Sequence, residues 1–427
     1  MERLKRILGM DSKKLKTYFA VVMASQVIYS YVDMKGVLYN PVREALGVNN
    51  TQFGLLFSIV GIVQIIGYFF LGWVQDRVNV RNLLSFDIIG YALIVLLMAL
   101  IPNLPFGALI ICFFGFGIFG DAIFWPTIQK SVRGLASDDK QATAFGGMET
   151  IRGVISLIIN GLAIVIYTAL GSTLLGVRGA MIFNSVLMIL FVFLLRKWMP
   201  KDFLEVKNKT GEKKEPMMSG LIEALKMPVV WCTGISAACI YATSTAMSTY
   251  FVPYLQTSYQ LSVALAGIFG LVNSSITKII ISSMSGIGAD KFFKSSASMM
   301  RVFFAINVAA LALICIVPKK TLILPVCMIL LLSVTICCFF IRGVYYAPIG
   351  ESGVPVEHSA AAMSIASCIG YSPAFWSFLV FGNLLDRYPD GQGYQYMFVI
   401  LLVLSAIGIF VSGYNSKLIK KKREEIK

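Results

Sequence analysis

Long apolar runs alternate with short polar breaks along almost the whole chain. A helix needs about 20 mostly apolar residues to cross a bilayer. Twelve runs reach that length, at roughly 17–39, 51–74, 83–101, 106–131, 142–170, 177–198, 227–256, 262–285, 297–317, 321–344, 358–384 and 393–415. The pattern therefore predicts an all-α membrane protein with twelve transmembrane helices.

The longest polar stretch, residues 201–226, stands between the sixth and seventh runs. It is rich in lysine and poor in apolar residues, which is typical of a flexible linker. We therefore predict three parts: an N-terminal six-helix bundle at residues 1–200, a cytoplasmic linker at 201–226, and a C-terminal six-helix bundle at 227–427.

Composition and charge support the membrane interpretation. Of the residues, 57% are hydrophobic and 14% are charged, whereas a soluble domain carries about 25% charged residues. The net charge of +15 could indicate a nucleic-acid partner. However, 28 of the 37 Lys and Arg residues fall in the segments that would be cytoplasmic if the N-terminus were inside. This asymmetry predicts a multi-pass protein of the cytoplasmic membrane with both termini in the cytoplasm, contacting lipid and not nucleic acid.

The sequence offers little material for catalysis or for a metal site. All eight cysteines lie in apolar runs, and His358 is the single histidine. The spacing of the cysteines and the histidine does not fit zinc coordination. The sequence also contains no group of residues typical of a catalytic site. We therefore predict no enzyme activity, no metal and no cofactor.

Two loops half a chain apart share one pattern. The loop after the second run carries Gly72, Asp76, Arg77 and Arg81, and the loop after the eighth run carries Gly286, Asp290 and Lys291. In each, a Gly that permits close helix approach precedes an Asp that can accept hydrogen bonds from a helix N-terminus. We interpret the two loops as an internal duplication and as a conformational latch.

These loops resemble the G-x-x-x-D-R-x-G-R-R signature of the major facilitator superfamily, with Asn79 and Val80 departing from it. The resemblance covers nearly the whole chain. It implies the major facilitator fold: two pseudo-symmetric bundles around a cavity lined by helices 1, 4, 7 and 10, which opens to each side in turn. It also implies a small-molecule substrate, and we expect a monomer.

Polar residues within the spans are costly and therefore mark candidate functional positions. Cationic and aromatic side chains suit an organic anion, and the candidate substrate-binding residues are Tyr31, Lys35, Trp125, Tyr241, Tyr250, Arg342, Tyr345 and Tyr346. Carboxyl groups could carry protons, and the candidates are Asp33, Asp121 and Glu149. Three alternatives stay open: Lys35 at the outer surface, Arg342 as an anchor at the cytoplasmic end, and a purely structural pair between Glu149 and Arg152.

The stretch from Tyr31 to Asp33, followed by Asn40 and Pro41, resembles the first helix of facilitators that carry organic anions, although Met34 replaces their arginine and Lys35 comes one position later. We therefore predict a secondary transporter of a small carboxylate, sugar acid or sugar phosphate, by proton symport or exchange. The alternatives are a proton-coupled multidrug efflux transporter, whose Gly-Pro pattern in helix 5 is absent, and a membrane sensor.

Overall fold

A computed structural model describes residues 8–71, 74–136, 141–201, 203, 222–281, 284, 292–293, 295–354 and 356–425. Throughout these ranges the regular structure is helical. Eleven of the helices are long and apolar enough to cross a membrane. A further helix at the start is interrupted, and with it the described part of the chain forms twelve helices, which we number α1–α12.

The N-terminal bundle contains α1 to α6. Four of these helices are continuous, and two are composed of shorter segments. The bounds are Ser12–Val27, Ser30–Asp33 and Lys35–Ala45 for α1; Asn50–Phe70 for α2; Val80–Leu100 for α3; Phe106–Phe116, a π-helical segment Gly117–Ala122 and Phe124–Leu135 for α4; Gln141–Ala169 for α5; and Leu174–Trp198 for α6.

The C-terminal bundle repeats this plan with α7 to α12. The bounds are Pro228–Thr249 and Phe251–Tyr259 for α7; Val263–Leu271, a π-helical segment Val272–Ile276 and Thr277–Ile281 for α8; Ser296–Ile316 for α9; Leu324–Arg342 for α10; Val356–Tyr371 and Pro373–Arg387 for α11; and Gln392–Glu425 for α12. The predicted all-α fold with twelve helices in two bundles is thereby confirmed.

Helix α1 begins with a side-chain cap and then breaks. The Asp11 carboxylate accepts hydrogen bonds from the backbone N–H groups of Lys14 and Lys13, each at 2.8 Å, and these bonds lower the pKa of Asp11. Further along, Leu38 has non-helical angles (φ −130°, ψ 44°) three residues before Pro41. Proline lacks the N–H that would bond to the fourth preceding carbonyl, and its ring crowds that carbonyl. The kink in α1 follows directly from Pro41.

Breaks recur at matching places in the two bundles. Pro253 follows the interruption of α7 at Tyr250, as Pro41 follows the interruption of α1. Pro126 follows the π-helical segment of α4, and Pro348 opens the short helix Ala347–Glu351 after α10. Helices α1, α4 and α7 are therefore discontinuous and a short helix follows α10, while α8 and α11 are interrupted as well. Discontinuous helices at membrane depth are tolerated where they line a cavity.

The two bundles meet at the end of the molecule that carries the loops 46–49 and 388–391, which we call the closed end. There the Asp386 carboxylate of α11 accepts hydrogen bonds from the backbone N–H groups of Asn50 (3.1 Å) and Thr51 (2.6 Å), the first residues of α2. The side chains of the same two residues donate to it as well. An anion at a helix N-terminus is electrostatically favourable, so Asp386 joins α11 to α2.

Glycines let the bundles approach to backbone contact at the closed end. A Cβ on Gly61 of α2 would stand 2.5 Å from the carbonyl group of Ala374 in α11, and a Cβ on Gly36 of α1 would stand 2.8 Å from the carbonyl oxygen of Ser248 in α7. Neither position has room for a larger residue. The Asn40 side chain also donates to that of Gln256 across the same interface, at 2.7 Å.

The predicted boundaries differ from the structure chiefly at the chain ends. Helix α12 continues to Glu425, ten residues beyond its predicted end, because its last turns are amphipathic rather than apolar. Most of the predicted linker at 201–226 lies outside the described residues, although residues 222–225 are helical.

Candidate functional site

Four charged side chains lie close together between the two bundles, and we call them the ion cluster: Glu149, Arg152, Lys278 and Arg342. One Glu149 oxygen lies 2.8 Å from the Arg152 guanidinium, and the other lies 2.8 Å from the Lys278 ammonium. The Glu149 side chain is 31% exposed. The interior around the cluster is therefore accessible to water.

Helix α5 provides Glu149 and Arg152, and α8 provides Lys278. The two α5 residues are three apart and so share one face, which confirms the pair predicted within this helix. Gly153 makes the inter-bundle contact possible, because a Cβ there would lie 2.6 Å from Ile279 of α8. The close approach lets the short Glu149 side chain reach Lys278. The pair Glu149–Lys278 is thus a salt bridge between the halves.

Arg342 lies at the C-terminal end of α10 and belongs to the C-terminal half. Its guanidinium donates to the Ser244 hydroxyl at 2.7 Å and lies 5.7 Å from the centre of the Tyr241 ring, both on α7. It lies within Coulombic range of Glu149 and Lys278. Among the described residues no carboxylate forms an ion pair with it. The four residues of the cluster are thus three cations and one carboxylate, and the Asp121 carboxyl lies within Coulombic range of Arg152.

Aromatic rings surround the ion cluster on both sides. In the N-terminal half, the Arg152 guanidinium lies 4.7 Å from the Trp125 ring and 6.0 Å from the Tyr29 ring. In the C-terminal half, Tyr345 stacks on Tyr346 with ring centres 4.2 Å apart. Tyr371 joins this group through the Tyr345 hydroxyl and the Tyr241 ring. Such rings offer flat apolar surfaces to a carbon skeleton next to the cations.

The other two candidate proton carriers lie on the N-terminal side of the ion cluster. The Tyr29 hydroxyl donates to the carbonyl of Gly120 at 2.8 Å and lies 3.3 Å from an Asp121 oxygen. Asp33 accepts a hydrogen bond from the Gln26 side chain at 2.6 Å. The Tyr29 ring also contacts Trp125 at 6.4 Å. Asp121 and Trp125 therefore face the same tyrosine, although the π-helical segment interrupts regular helix between them.

Three predicted substrate-binding residues lie away from the ion cluster. Tyr31 is 2% exposed and packs on Phe116 within the N-terminal bundle. Lys35 is buried, with its ammonium 4.6 Å from the centre of the Phe57 ring. Tyr250 donates its hydroxyl to the carbonyl of Phe378 at the closed end. Both residues also contact the other half, because the Lys35 ammonium lies 5.8 Å from the centre of the Phe378 ring and the Tyr250 ring lies 5.6 Å from that of Tyr39.

The predicted latch falls mainly on residues whose structure is not described. Gly72, Gly286, Asp290 and Lys291 lie outside the described ranges, and the same holds for the Asp76 side chain. Arg77 is exposed at the end of the short helix Val74–Arg77. Arg81 donates to the carbonyl of Arg196 at 3.4 Å, which ties the loop to α6. The latch therefore stays a prediction.

Sequence reasoning did not assign several residues that the structure brings to the site. The sequence suggested Arg152 only as a structural partner of Glu149, and Lys278 received no role. The site also includes Tyr29, Ser244 and Tyr371. Arg152 and Lys278 could have been assigned to the site from the sequence, because any charged residue within a membrane span is a functional candidate. The tyrosines and the serine carry no such signal.

Two six-helix bundles, a charged and water-accessible centre and one closed end together define a transporter that exposes its site to one side at a time. The model of the Major Facilitator Superfamily matches residues 17–378, and the chain belongs to this family. It is a secondary transporter and not an enzyme. Members of the family bind small-molecule substrates and usually work as monomers.

Relatives and solved structures agree with this assignment. The inner membrane protein YihN of Escherichia coli is 29% identical over 98% of this chain and 99% of its own length. The inner membrane protein YqcE of the same organism is 23% identical over 92% of each chain. A bacterial homologue of the human lysosomal transporter Spinster superposes with a TM-score of 0.75 at 14% identity, over 96% of this chain and 98% of the other. The chain is accordingly a multi-pass protein of the cytoplasmic membrane.

Proposed function

We propose that this carrier moves a small organic anion, such as a carboxylate, a sugar acid or a sugar phosphate, by proton-coupled symport or by exchange. The observation that carries the proposal is the excess of positive charge in the ion cluster. Three cations face the single carboxylate of Glu149 there, and Arg342 has no ion pair among the described residues. An anionic substrate would balance the excess positive charge, since charge-assisted hydrogen bonds to Arg and Lys are strong.

The aromatic rings around the cluster support an organic anion rather than an inorganic ion. Trp125 and Tyr29 flank Arg152, and Tyr241 flanks Arg342. A carbon skeleton can pack on these rings while its anionic group meets the cations. Multidrug efflux of cationic drugs is less compatible with this charge, because a cation would meet like charges in the ion cluster.

Asp33, Asp121 and Glu149 are our proposed proton carriers, and the latch residues of the 72–81 and 286–294 loops are our proposed switch on the cytoplasmic side. The charge asymmetry of the loops supports cytoplasmic termini. With that orientation the closed end faces outward and the carrier is open to the cytoplasm. A C-terminal fusion to green fluorescent protein, compared with one to alkaline phosphatase, tests the orientation. An active phosphatase fusion would place the C-terminus outside the cytoplasm and contradict the proposed orientation.

A ligand screen on purified protein tests the substrate class. Ligands that bind the folded state raise its apparent melting temperature. We expect a shift from at least one compound among glucose 6-phosphate, glycerol 3-phosphate, gluconate and glucuronate, and none from glucose or tetraphenylphosphonium. Shifts from the neutral and cationic compounds alone would refute the anion proposal.

The variant Arg342→Ala tests the site itself. Any anion found in the screen should then be taken up by proteoliposomes containing the wild-type protein. Arg342→Ala should reduce uptake at least a hundredfold, roughly the loss expected for a charged hydrogen bond in a buried site. Arg178→Ala, at the start of α6 and outside the cluster, is the matched control. Wild-type uptake by folded Arg342→Ala would remove this residue from the site.

A further inference from the structure

The carboxylate of Glu149 occupies the position that an anionic substrate would be expected to take. Each of its oxygens contacts a different cation at 2.8 Å, Arg152 on one side and Lys278 on the other. A carboxylate held by two cationic donors is the arrangement by which proteins bind anionic ligands. Here the anion comes from the chain itself, and the two cations come from opposite halves.

The charges of the cluster allow two anions to be held at once. Lys278 and Arg342 lie within Coulombic range of each other on the packed helices α8 and α10. Arg152 lies on the same helix as Glu149 and bonds to it locally. A substrate anion between Lys278 and Arg342 would leave Glu149 paired with Arg152 alone. The inter-bundle bond to Lys278 is the one that the substrate would replace.

We infer that Glu149 is a built-in counter-anion, which takes the place of the substrate on Lys278 when the carrier is empty. The inference rests on the proposed transport of an anion. To complete a cycle of net transport, the empty carrier must change conformation with its cations enclosed. Glu149 lowers the cost of enclosing them, because it neutralises one charge and joins the halves. In exchange the carrier returns loaded, and the substrate supplies the negative charge.

Net transport and exchange should therefore depend differently on Glu149. In Glu149→Gln, we expect net uptake into vesicles without internal anion to fall at least tenfold relative to the exchange of labelled for unlabelled anion by the same variant. Affinity for the anion, measured by thermal shift, should rise, because the internal competitor for Lys278 is gone. A structural ion pair would give no gain in affinity on removal.

A double variant separates charge compensation from proton release. Glu149→Gln with Lys278→Gln removes one negative and one positive charge and so restores the net charge of the cluster. At saturating anion, we expect net uptake by the double variant to recover at least threefold over Glu149→Gln. A glutamine cannot release a proton, so recovery would leave proton coupling to Asp33 and Asp121 and give Glu149 the role of counter-anion, whereas no recovery would favour Glu149 as a proton carrier. The control is Glu44→Gln, since Glu44 is exposed and, among the described residues, forms an ion pair only with Arg43, at 3.6 Å.

The outcomes distinguish the two proposals. If the wild-type protein neither binds nor exchanges any of the four anions in the screen, the proposed function fails. If the wild type exchanges an anion, three results overturn the role of Glu149: equal loss of both modes in folded Glu149→Gln, full net uptake by that variant, or no recovery in the double variant. Selective loss of net uptake with recovery in the double variant supports it. If Glu149→Gln does not fold, the double variant alone provides the test. We then expect its rate of net uptake to be at least one third of its own exchange rate, and a lower ratio would overturn the role of Glu149.

Discussion

Gly61 illustrates how single residues determine the fit between the halves. The position lies on the face of α2 that meets α11, and a Cβ there would stand 2.5 Å from the carbonyl group of Ala374. Backbone atoms cannot move aside as a flexible side chain can, so any substitution must separate the helices. The residue is small because the two backbones nearly touch.

The change Gly61→Ala should destabilise the observed conformation. We expect a loss of about 1–3 kcal/mol, the usual cost of overpacking, measured as a lower melting temperature of the purified protein. Gly107→Ala is the matched control, because no atom lies within 4 Å of a Cβ at that position. Equal melting temperatures for the two variants would show that the close contact at Gly61 has no energetic weight.

At the residue scale the sequence predicted some site contacts and not others. The pair Glu149–Arg152 followed from a spacing of three within one helix. The contact between Glu149 and Lys278 joins positions 129 apart in the chain and depends on how two helices cross at Gly153. Local spacing contains no information about that crossing, so the central salt bridge could not be predicted.

The helices with breaks are the elements on which the site depends. Helix α1 bends at Leu38 ahead of Pro41, and α7 bends at Tyr250 ahead of Pro253. Tyr31 and Lys35 both precede the bend at Leu38, and they pack on Phe116 and Phe57. Residues four apart in a regular helix share a face, and Phe113 contacts both of these rings.

The change Pro41→Ala tests the role of the bend in α1. Alanine restores the missing N–H and has a higher helix propensity than proline by about 3 kcal/mol, so the folded protein should be equally or more stable. Transport of the substrate should nevertheless fall roughly tenfold, as for other hinge positions. Uptake by proteoliposomes and melting temperature together provide the measurement.

Pro228→Ala is the control for that experiment. Pro228 occupies the first turn of α7, where proline fits a helix without loss of a hydrogen bond. Both stability and transport should stay near wild type. If Pro41→Ala also transports at the wild-type rate, the bend has no part in the cycle.

The number and order of the elements could be predicted, because each span is long and apolar, and hydropathy determines its place. The interruptions were not foreseen. Pro41 and Pro253 are visible in the sequence, but a proline within a membrane helix is compatible with several degrees of bending. The π-helical segments Gly117–Ala122 and Val272–Ile276 carry no signal of comparable strength.

In the whole molecule, the state observed depends on the contacts of the closed end. One of these contacts is made by Asp386, whose carboxylate accepts four hydrogen bonds from Asn50 and Thr51. The same residue thus satisfies free N–H groups at the start of α2. Loss of this carboxylate removes bonds that exist only while the halves are joined here.

Hydrogen exchange tests this role of Asp386. In Asp386→Ala, the amides of Asn50 and Thr51 should exchange roughly tenfold faster for each 1.4 kcal/mol of lost stability, which mass spectrometry can measure on the peptide around them. Asp390→Asn is the control: Asp390 is exposed in the adjoining loop with φ of +58°, a conformation that asparagine accepts. Unchanged exchange at the start of α2 in Asp386→Ala would contradict a role in holding the closed end.

The glycine contacts have a consequence for the cell's energy supply. From Asn50 to Gly61, α2 lies against α11 over about 16 Å, with backbone approaching backbone. A seam of this kind has no width for a file of water molecules, and protons in membranes travel along such files. We therefore expect the carrier in this conformation not to discharge the ion gradient across the membrane, even when many copies are present. Substitutions that widen the seam would let protons leak through the carrier. Their first effect would be a lower membrane potential rather than a change in substrate transport.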